Sequence, residues 1–319
     1  MTDLTALLTR RPLVGESGID IRFALSPGDR PLVVAGDSVV VGTPIAERLR
    51  DARLEDVAAE RADAQPGDRV AGGELLFGWR GRWRVARGST TETVDTPVTG
   101  IVREVRPGSG ITLRATGRAL RGIVVLGGPT HGRLQRVGPS DGELRAGGLD
   151  VSLAGAILVV GSRIDAETLT RARAMGVRGV IVGGLASKER RDFLASENRQ
   201  RAALHRLPPF AVLVLEGAIR RPLPSPIASL LDGLVGHEVA IVPDPAALLF
   251  DVPDLVIDVP PPGHVRIRGG NLAGREGTLI DLPGQRRFAG GIQLEAGAVR
   301  LDDGSIVAVP LGDLETFGR

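Results

Sequence analysis

Two glycine-rich segments in the middle of the chain carry residue types that can bind an anion. Gly161-Ser162-Arg163 follows the apolar run 156–160, and Gly183-Gly184 follows the strand predicted at 177–182. Backbone N–H groups at the start of a helix, together with the helix dipole, favour a phosphate or a carboxylate. We therefore predict an anion site at Gly161, Ser162, Arg163, Gly183 and Gly184. The alternative is that these short loops serve only to reverse the chain.

A second group of candidate binding residues lies within residues 77–87, which hold both tryptophans of the chain. Successive side chains of a strand point to opposite faces, so on a single strand the tryptophans would share one face and the arginines the other. Such a strip can hold phosphates or an acidic partner. The alternative is a half-buried strand whose Trp face packs in the core. The candidates are Trp79, Arg80, Arg82, Trp83, Arg84 and Arg87.

Several classes of catalytic and cofactor chemistry lack the residues they need. The chain has no Cys, which excludes thiol nucleophiles, disulfides and thiolate metal or iron–sulfur sites. Its 40 basic residues include one lysine, Lys188, in a segment typical of an exposed first helical turn. The four histidines lack metal-ligand spacing, and neither a Walker phosphate loop nor a Gly-x-Ser-x-Gly elbow occurs. The sequence favours binding over catalysis and predicts no cofactor and no metal.

The charges are unevenly distributed along a chain whose net charge is only +2. Residues 76–145 hold 12 basic and 5 acidic residues, whereas residues 1–75 hold 9 and 13. We expect this basic block to lie within one domain, where it can attract nucleic acid, an acidic protein or anionic lipid. No apolar run is long enough for a membrane span, and the N-terminus lacks the pattern of a signal peptide, so we expect a cytoplasmic protein.

The middle of the chain has the alternation of strands and helices that builds an α/β domain. Asp165 is placed to cap a helix over residues 166–175, and Gly176 follows the end of that helix. The apolar run 156–160 and a strand predicted at 177–182 flank it, and a second helix is predicted over 187–204. Glu216, after the strand predicted at 210–215, could add a carboxylate at the same edge of the sheet, although a turn or cap role is the ordinary alternative.

The N-terminal region repeats a short turn-and-strand pattern. Gly36-Asp37-Ser-Val39 recurs as Gly67-Asp68-Arg-Val70, and Pro97-Val98-Thr-Gly100 begins a further strand. Over about residues 25–125 these motifs resemble the barrel-sandwich hybrid family, which includes lipoyl and biotinyl carrier domains and the N-terminal domain of Rnf and Nqr redox subunits. The region has neither the carrier lysine nor the cluster cysteines of those relatives. The resemblance therefore implies the fold without its cofactor chemistry.

The C-terminal region has two short β-like runs divided by Gly274 and Gly277, and a second hairpin turned at Asp302-Asp303-Gly304. It resembles an SH3-like barrel of the KOW type, a module that contacts RNA, RNA polymerase or ribosomal partners. The region is neutral overall, which favours a protein partner. Such barrels also serve as plain structural appendages. By resemblance, the motif loop and its basic neighbours supply the candidate binding residues Arg266, Arg268, Asn271, Arg275, Arg286 and Arg287.

These observations predict a multidomain, mostly β protein with a central α/β domain. We expect a β-rich, barrel-sandwich-hybrid-like domain at 1–145, a small α/β domain at 146–251, a Pro-rich linker at 252–263 and an SH3-like barrel at 264–319. The favoured function is a non-catalytic binding or adaptor protein of a transcription, translation or other macromolecular complex, with a protein complex, RNA or DNA as partner. The alternatives are a scaffold of a larger assembly, and an enzyme or small-ligand binder that uses the α/β loops. The oligomeric state is left open.

Overall fold

The computed structural model describes residues 7–15, 17–25, 29–50, 53–57, 68–70, 74–79, 82–87, 90–203 and 208–318. Within residues 49–91 and 201–203 it describes the backbone alone. The chain divides into two compact units. The larger unit comprises Met1–Gly15 and Ala119–Arg319, and the smaller unit comprises Glu16–Arg118. The fold is mostly β, with several sheets and three α-helices in the part that is described.

The smaller unit consists of short strands, which are preceded in the chain by one strand of the larger unit. The strands up to residue 115 are β1 Thr9–Pro12, β2 Ile19–Ala24, β3 Arg30–Pro31, β4 Ser38–Val39, β5 Pro44–Arg50, β6 Arg53–Val57, β7 Asp68–Val70, β8 Glu74–Trp79, β9 Arg82–Arg87, β10 Thr90–Asp95, β11 Gly100–Arg106 and β12 Gly110–Ala115. Strands β2 to β12 form three sheets, in the orders β10-β5-β3, β2-β12-β11-β4 and β6-β9-β8-β7.

Sequence alternation explains how the smaller unit forms its core. In β2, Ile19, Ile21 and Phe23 are buried while the residues between them are exposed, as expected for a strand with one buried face. The predicted turn before Val39 is confirmed, because Gly36 has a φ of 98° and its N–H donates to the Val102 carbonyl. A left-handed φ of this kind is readily adopted only by glycine.

The single strand predicted over residues 77–87 is two strands. Strands β8 and β9 pair antiparallel, with Gly78 opposite Trp83 and Trp79 opposite Arg82. The alternation that predicted one Trp face and one Arg face assumed an uninterrupted strand, and the chain reverses inside that segment.

A mixed sheet of eight strands, covered by helices on both faces, dominates the larger unit. Its order is β13-β22-β21-β15-β17-β19-β20-β14, and the neighbours β15, β17, β19 and β20 are parallel. The elements are β13 Arg118–Arg121, β14 Val124–Gly127, β15 Thr130–Arg136, β16 Glu143–Leu144, β17 Ala156–Val159, β18 Arg163–Ile164, α1 Ala166–Ala174, β19 Gly179–Gly184, α2 Ser187–Ala203, β20 Ala211–Gly217, α3 Ser225–Gly233, β21 Glu238–Pro243 and β22 Ala246–Phe250.

Alternate residues of the parallel strands pack against different helices. Leu158 and Val180 share a core with α1 and α2, whereas Ile157 and Ile181 share a core with α3. The near-continuous apolar runs are therefore strands buried on both faces. The Asp165 cap is confirmed, since its side chain accepts a hydrogen bond from the Thr168 N–H.

The eight-stranded sheet extends beyond the α/β boundaries predicted from the sequence. Strands β13, β14 and β15, which we had grouped with residues 1–145, belong to this sheet and to the larger unit. They were missed because β13 and β14 are short, and the parallel pairing of β15 with β17 leaves no mark in a local sequence window. The segment 252–263 has no helix or strand, and its Ile257 is buried in the core around α3.

The C-terminal strands form a six-stranded sheet with a strand from the other end of the chain. The elements are β23 His264–Ile267, β24 Glu276–Arg287, β25 Gln293–Leu301, β26 Ile306–Pro310 and β27 Leu314–Gly318, in the order β1-β27-β23-β24-β25-β26. The predicted hairpin at Asp302-Asp303-Gly304 is confirmed by the antiparallel pairing of β25 with β26. Strand β1 pairs parallel to β27, a long-range contact that the sequence did not predict.

Candidate functional site

The carboxyl ends of parallel strands are the usual ligand-binding edge of an α/β sheet. Here we call this the carboxyl edge, where β17, β19 and β20 end at Val159, Gly184 and Gly217. The loop 217–224 crosses this edge. A Cβ atom on Gly183 would lie 2.6 Å from the Arg221 carbonyl oxygen, and one on Gly184 would lie 2.3 Å from that of Ile219. The loop therefore occupies the crevice in which a ligand would ordinarily sit.

Three backbone amides of the predicted anion site already have partners. The Ser162 N–H donates to the Gly142 carbonyl at 2.7 Å, the Gly183 N–H to Gly161 at 2.9 Å and the Gly184 N–H to Ser162 at 3.2 Å. Gly161 packs so closely that a Cβ atom there would lie 2.2 Å from the Pro139 oxygen. These glycines allow close approach of chain segments, and binding an anion with these N–H groups would require breaking existing bonds.

The remaining predicted member, Arg163, is half-buried and lies 3.7 Å from Glu143. The nearby Arg220 donates from Nε to the Ser162 hydroxyl at 3.3 Å. The structure thus brings Ser162, Gly161, Gly183 and Gly184 together, as the sequence predicted. What it brings together is a closed arrangement of mutually bonded loops.

Glu216 lies at the same edge, in a buried cluster of ion pairs. Its carboxylate accepts from Arg11 at 2.6 Å and from Arg266 at 2.7 Å, and its side chain is 5% exposed. Arg266, 1% exposed, also donates to the Pro222 carbonyl at 2.8 Å and lies 3.9 Å from Glu315. The cluster joins strand β20 of the large sheet to β1, β23 and β27 of the C-terminal sheet. Glu216 is therefore not a turn or cap residue, the alternative considered from the sequence.

Burial perturbs the ionisation of this cluster. Desolvation lowers the pKa of Arg266, against the opposing effect of Glu216 and Glu315. Desolvation likewise raises the pKa of Glu315, and Arg11 and Arg266 only partly offset it. A buried group with its donors engaged cannot also contact a partner at the surface. Arg266, one of the predicted binding residues, is therefore a structural residue here.

A second carboxylate fixes the first strand pair of the C-terminal sheet to helix α3. Glu276 accepts from the Ser225 N–H at 2.8 Å and from the Ser225 hydroxyl, and it lies 3.2 Å from Nε2 of His264. Burial acts to raise the pKa of Glu276, but hydrogen bonds from His264 and Ser225 outweigh it, so the pKa is lowered. His264 thus supports an interface within the larger unit.

The other residues of the predicted motif loop lie at the surface. Arg268 is half-exposed and 3.9 Å from Glu315, Asn271 is exposed, and Arg275 donates to Asp303 at 2.6 Å. Hydrogen bonds from Ser305 and Arg275 lower the pKa of Asp303. Arg275 therefore ties β24 to the hairpin turn before β26, and Gly274, with a φ of 94°, provides the bend that precedes it.

The last two predicted arginines lie on a projecting part of the C-terminal sheet, which we call the hairpin arm, residues 284–295. The apolar core of this sheet ends near Leu282 on β24 and Ala296 on β25. Irregular register between Asp281 and Gly284 marks the start of the arm, which reverses through Gly290 and Gly291, with φ values of 80° and 79°. The arm therefore extends beyond the apolar core of the C-terminal sheet.

The hairpin arm has two chemically different faces. Arg286 pairs with Leu294 across the two strands, and Ile292 lies two residues before Leu294, so these three side chains share a face. Ile292 is 59% exposed and Leu294 is 42% exposed. The opposite face carries Gln285, Arg287, Gln293 and Glu295. The sequence predicted the two arginines as binding residues but not Ile292 and Leu294, which follow the Gly290-Gly291 turn with Gln293 between them.

The basic block does not lie in one unit. Residues 76–118 belong to the smaller unit and 119–145 to the larger one. Several of its arginines already have carboxylate partners, including Arg106 with Glu104 at 2.7 Å and Arg114 with Asp20 at 3.3 Å. Arg80 lies outside the described residues, and the side chains of Trp79, Arg82, Trp83, Arg84 and Arg87 lie outside them as well. The binding role predicted for that strip stays a prediction.

Two further observations on the described residues concern metal ions and membranes. No group of three or more His, Asp or Glu side chains there is arranged to hold a metal ion. Among the helices that are described, none is both long and apolar enough to cross a membrane. The sequence matches no known protein family and no curated protein.

Proposed function

We propose that this protein is a non-catalytic adaptor of a macromolecular complex and that the hairpin arm docks onto a partner protein. The observation that supports this proposal is the exposed face formed by Arg286, Ile292 and Leu294. Solvent-exposed apolar residues on one face of a projecting hairpin form a contact surface that a monomer leaves uncovered. Because the C-terminal region resembles KOW-type modules, we expect that complex to act in transcription or translation.

The chemistry of the arm indicates the kind of partner. Its face combines two aliphatic side chains with Arg286, which has no hydrogen-bond or ion-pair partner in the described part of the chain. A complementary surface offers an apolar recess with a carboxylate beside it, so that the guanidinium gains a bidentate partner. The arm has two Arg and one Glu, too little charge for phosphate contacts alone to dominate. These features favour an acidic protein surface over nucleic acid.

The base of the arm suits this role because it is held firmly. Strand β23, which neighbours the arm's strand β24 in the sheet, carries Arg266 of the ion-pair cluster. Strand β27, on the other side of β23, carries Glu315. A projecting element on a fixed base loses less conformational freedom on binding than a free loop does. The closed carboxyl edge weighs against the enzyme alternative, since the usual catalytic crevice is filled by the loop 217–224.

A pair of double variants tests the proposal. The apolar-face variant is Ile292→Ser with Leu294→Ser, and the matched control on the opposite face is Gln285→Ser with Gln293→Ser. All four residues are exposed, so both variants should fold with free energies of unfolding within about 0.5 kcal/mol of the parent. The partner is captured from native lysate in stoichiometric amount, identified, purified and titrated against each variant by calorimetry. A photo-crosslinking residue placed at Phe288 should join the arm to that partner.

The proposal requires that the apolar-face variant weaken binding at least tenfold, that the control bind as the parent does, and that Arg286→Gln weaken binding as well. Equal binding by all variants would place the contact elsewhere and overturn it. Binding of RNA or DNA that depends on the arm, shown by filter titration over a salt series, would replace it by the nucleic-acid alternative. Self-association lost only in the apolar-face variant would replace it by the scaffold alternative.

A further inference from the structure

The edge of the large sheet opposite the carboxyl edge is open and contains a cavity. We call this cavity the amino-edge groove; its volume is about 330 Å³. It lies where β15, β17 and β19 begin, beside the start of β21. Its polar lining comes from His131, Arg133, Gln135, Arg178 and Glu238. The volume is at the lower end of the range found for small-molecule sites.

Strand register brings the charged residues of the groove together. Arg133 on β15 pairs with Ala156 on β17 and, on its other side, with Glu238 on β21. Arg178 directly precedes β19, and its N–H donates to the Ala156 carbonyl at 2.8 Å. Both arginines are thus anchored to the backbone of the same residue, Ala156, one by strand pairing and one by a hydrogen bond.

Because residue 132 is glycine, the backbone of Gly155 can pack against β15 and form the floor of the groove. A Cβ atom at this position would lie 2.3 Å from the Gly155 carbonyl oxygen and 3.5 Å from Cβ of Arg178. With glycine there, the turn at Gly155 and the base of the Arg178 side chain come up against β15. A larger residue would collide with the Gly155 carbonyl oxygen and force the Gly155 turn away from β15.

The groove has more positive charge than its own carboxylate neutralises. Arg133 is exposed and Arg178 is half-buried, and neither has a hydrogen-bond or ion-pair partner in the part of the chain that is described. Glu238 is directly opposite Arg133 in the sheet, yet the two form no ion pair. Two guanidinium groups with ten N–H donors between them therefore line one small cavity without an acceptor.

We infer that the amino-edge groove binds the phosphate group of a small phosphorylated molecule. Planar guanidinium groups present paired N–H donors that match phosphate oxygens, and two of them supply the charge that a dianion requires. His131 and Gln135 add donors at the rim. The groove holds one phosphate group with a small organic part, and it is too small for a nucleic-acid strand to lie along it.

Isothermal titration of the full chain with pyrophosphate at low salt tests the inference. Pyrophosphate should bind one to one, and Arg133→Gln and Arg178→Gln should each raise Kd about tenfold, because each removes a charge-assisted pair. Glu238→Gln should lower Kd by about threefold, because it removes a negative charge that repels the anionic ligand. Arg171→Gln is the matched control: it removes an exposed arginine of α1 outside the groove and should leave Kd unchanged.

Parallel titrations identify the ligand class. If glycerol 3-phosphate binds with the same dependence on both arginines, the ligand is a phosphorylated small molecule. If only inorganic phosphate and pyrophosphate bind, the inference is wrong. Succinate binding as tightly as pyrophosphate would overturn the choice of phosphate. The inference is also overturned if pyrophosphate does not bind, if all three arginine variants weaken it equally, or if only a single-stranded oligonucleotide binds. Circular dichroism of each variant checks that it is folded.

Discussion

The two edges of the large sheet differ in what their polar groups already do. At the carboxyl edge, the N–H groups of Ser162, Gly183 and Gly184 have backbone partners, and the Glu216 carboxylate and the Arg266 guanidinium are paired with each other. At the amino edge, Arg133 and Arg178 line a cavity without partners in the described part of the chain. The edge at which α/β sheets usually bind ligands is here used for internal structure.

This difference shows that position in a fold and capacity to bind are separate properties. A site needs donors or acceptors that are accessible and unoccupied. At the carboxyl edge, partners already occupy the groups that would bind a ligand there: the N–H groups of Ser162, Gly183 and Gly184, and the side chains of Glu216 and Arg266. The ion-pair cluster there instead joins the large sheet to the C-terminal sheet. We therefore expect substitutions at the carboxyl edge to change stability and substitutions at the amino edge to change ligand binding.

The largest expected effect comes from removing the carboxylate of Glu216. Glu216→Ala leaves Arg266 buried without its closest counter-charge, and breaking a buried pair in this way costs about 3–5 kcal/mol. The same change at the other edge, Glu238→Ala, should alter the free energy of unfolding by less than about 0.5 kcal/mol because that residue is exposed. Urea denaturation followed by circular dichroism measures both.

Glu216→Gln keeps the measurement informative if the alanine variant does not fold. The amide retains an acceptor for Arg11 or Arg266 and loses the charge, so its loss of stability should be intermediate. Equal stability of the Glu216 and Glu238 variants would contradict the distinction between the two edges.

The next effect concerns the close packing of the carboxyl edge. Gly161→Ala places a Cβ atom 2.2 Å from the Pro139 carbonyl oxygen, and relieving such a contact costs on the order of 2 kcal/mol. Gly147→Ala, where a Cβ atom meets nothing within 4 Å, is the matched control and should change stability by only a few tenths of a kcal/mol. The measurement is the midpoint of thermal unfolding. A harmless Gly161→Ala would mean that the loops can part, and would restore the anion site predicted there.

Local sequence patterns were sufficient to predict individual helices, strands and turns, but not how the strands pair with one another. Asp165 with its helix, the apolar strands around it and the turn at Gly304 follow from residue types a few positions apart, and all are in the structure. The pairing of β1 with β27, by contrast, depends on residues some 300 positions apart. Short strands have little sequence signal of their own, and long-range partners decide where they pair.

The candidate sites show the same limit. The sequence placed Gly161 and Gly183 at one edge correctly, but glycines that cradle a ligand and glycines that allow chain segments to touch have the same spacing. The motif predicts Arg266 as a binding residue, whereas the structure buries it against Glu216, 50 residues earlier. The amino-edge groove was missed because Arg133 and Arg178 are in separate strands whose adjacency only the sheet order reveals.

The smallest expected effect is a pH dependence at the carboxyl-edge cluster. Burial raises the pKa of Glu315 above its ordinary value of 4.5. The protonated form of Glu315 therefore stabilises the folded state below pH 4.5, and this stabilisation is lost as the pH rises through the folded-state pKa. Glu315→Gln resembles the protonated form, so its stability relative to the parent should increase as the pH is raised from about 4 to 7. Urea titrations across this range measure the difference, with the exposed Glu295→Gln as control. If the stability of Glu315→Gln relative to the parent instead falls as the pH rises, then Arg266 and Arg268 hold Glu315 ionised in the folded state. The ion pairs of the cluster would then outweigh the cost of desolvation and stabilise the protein at neutral pH.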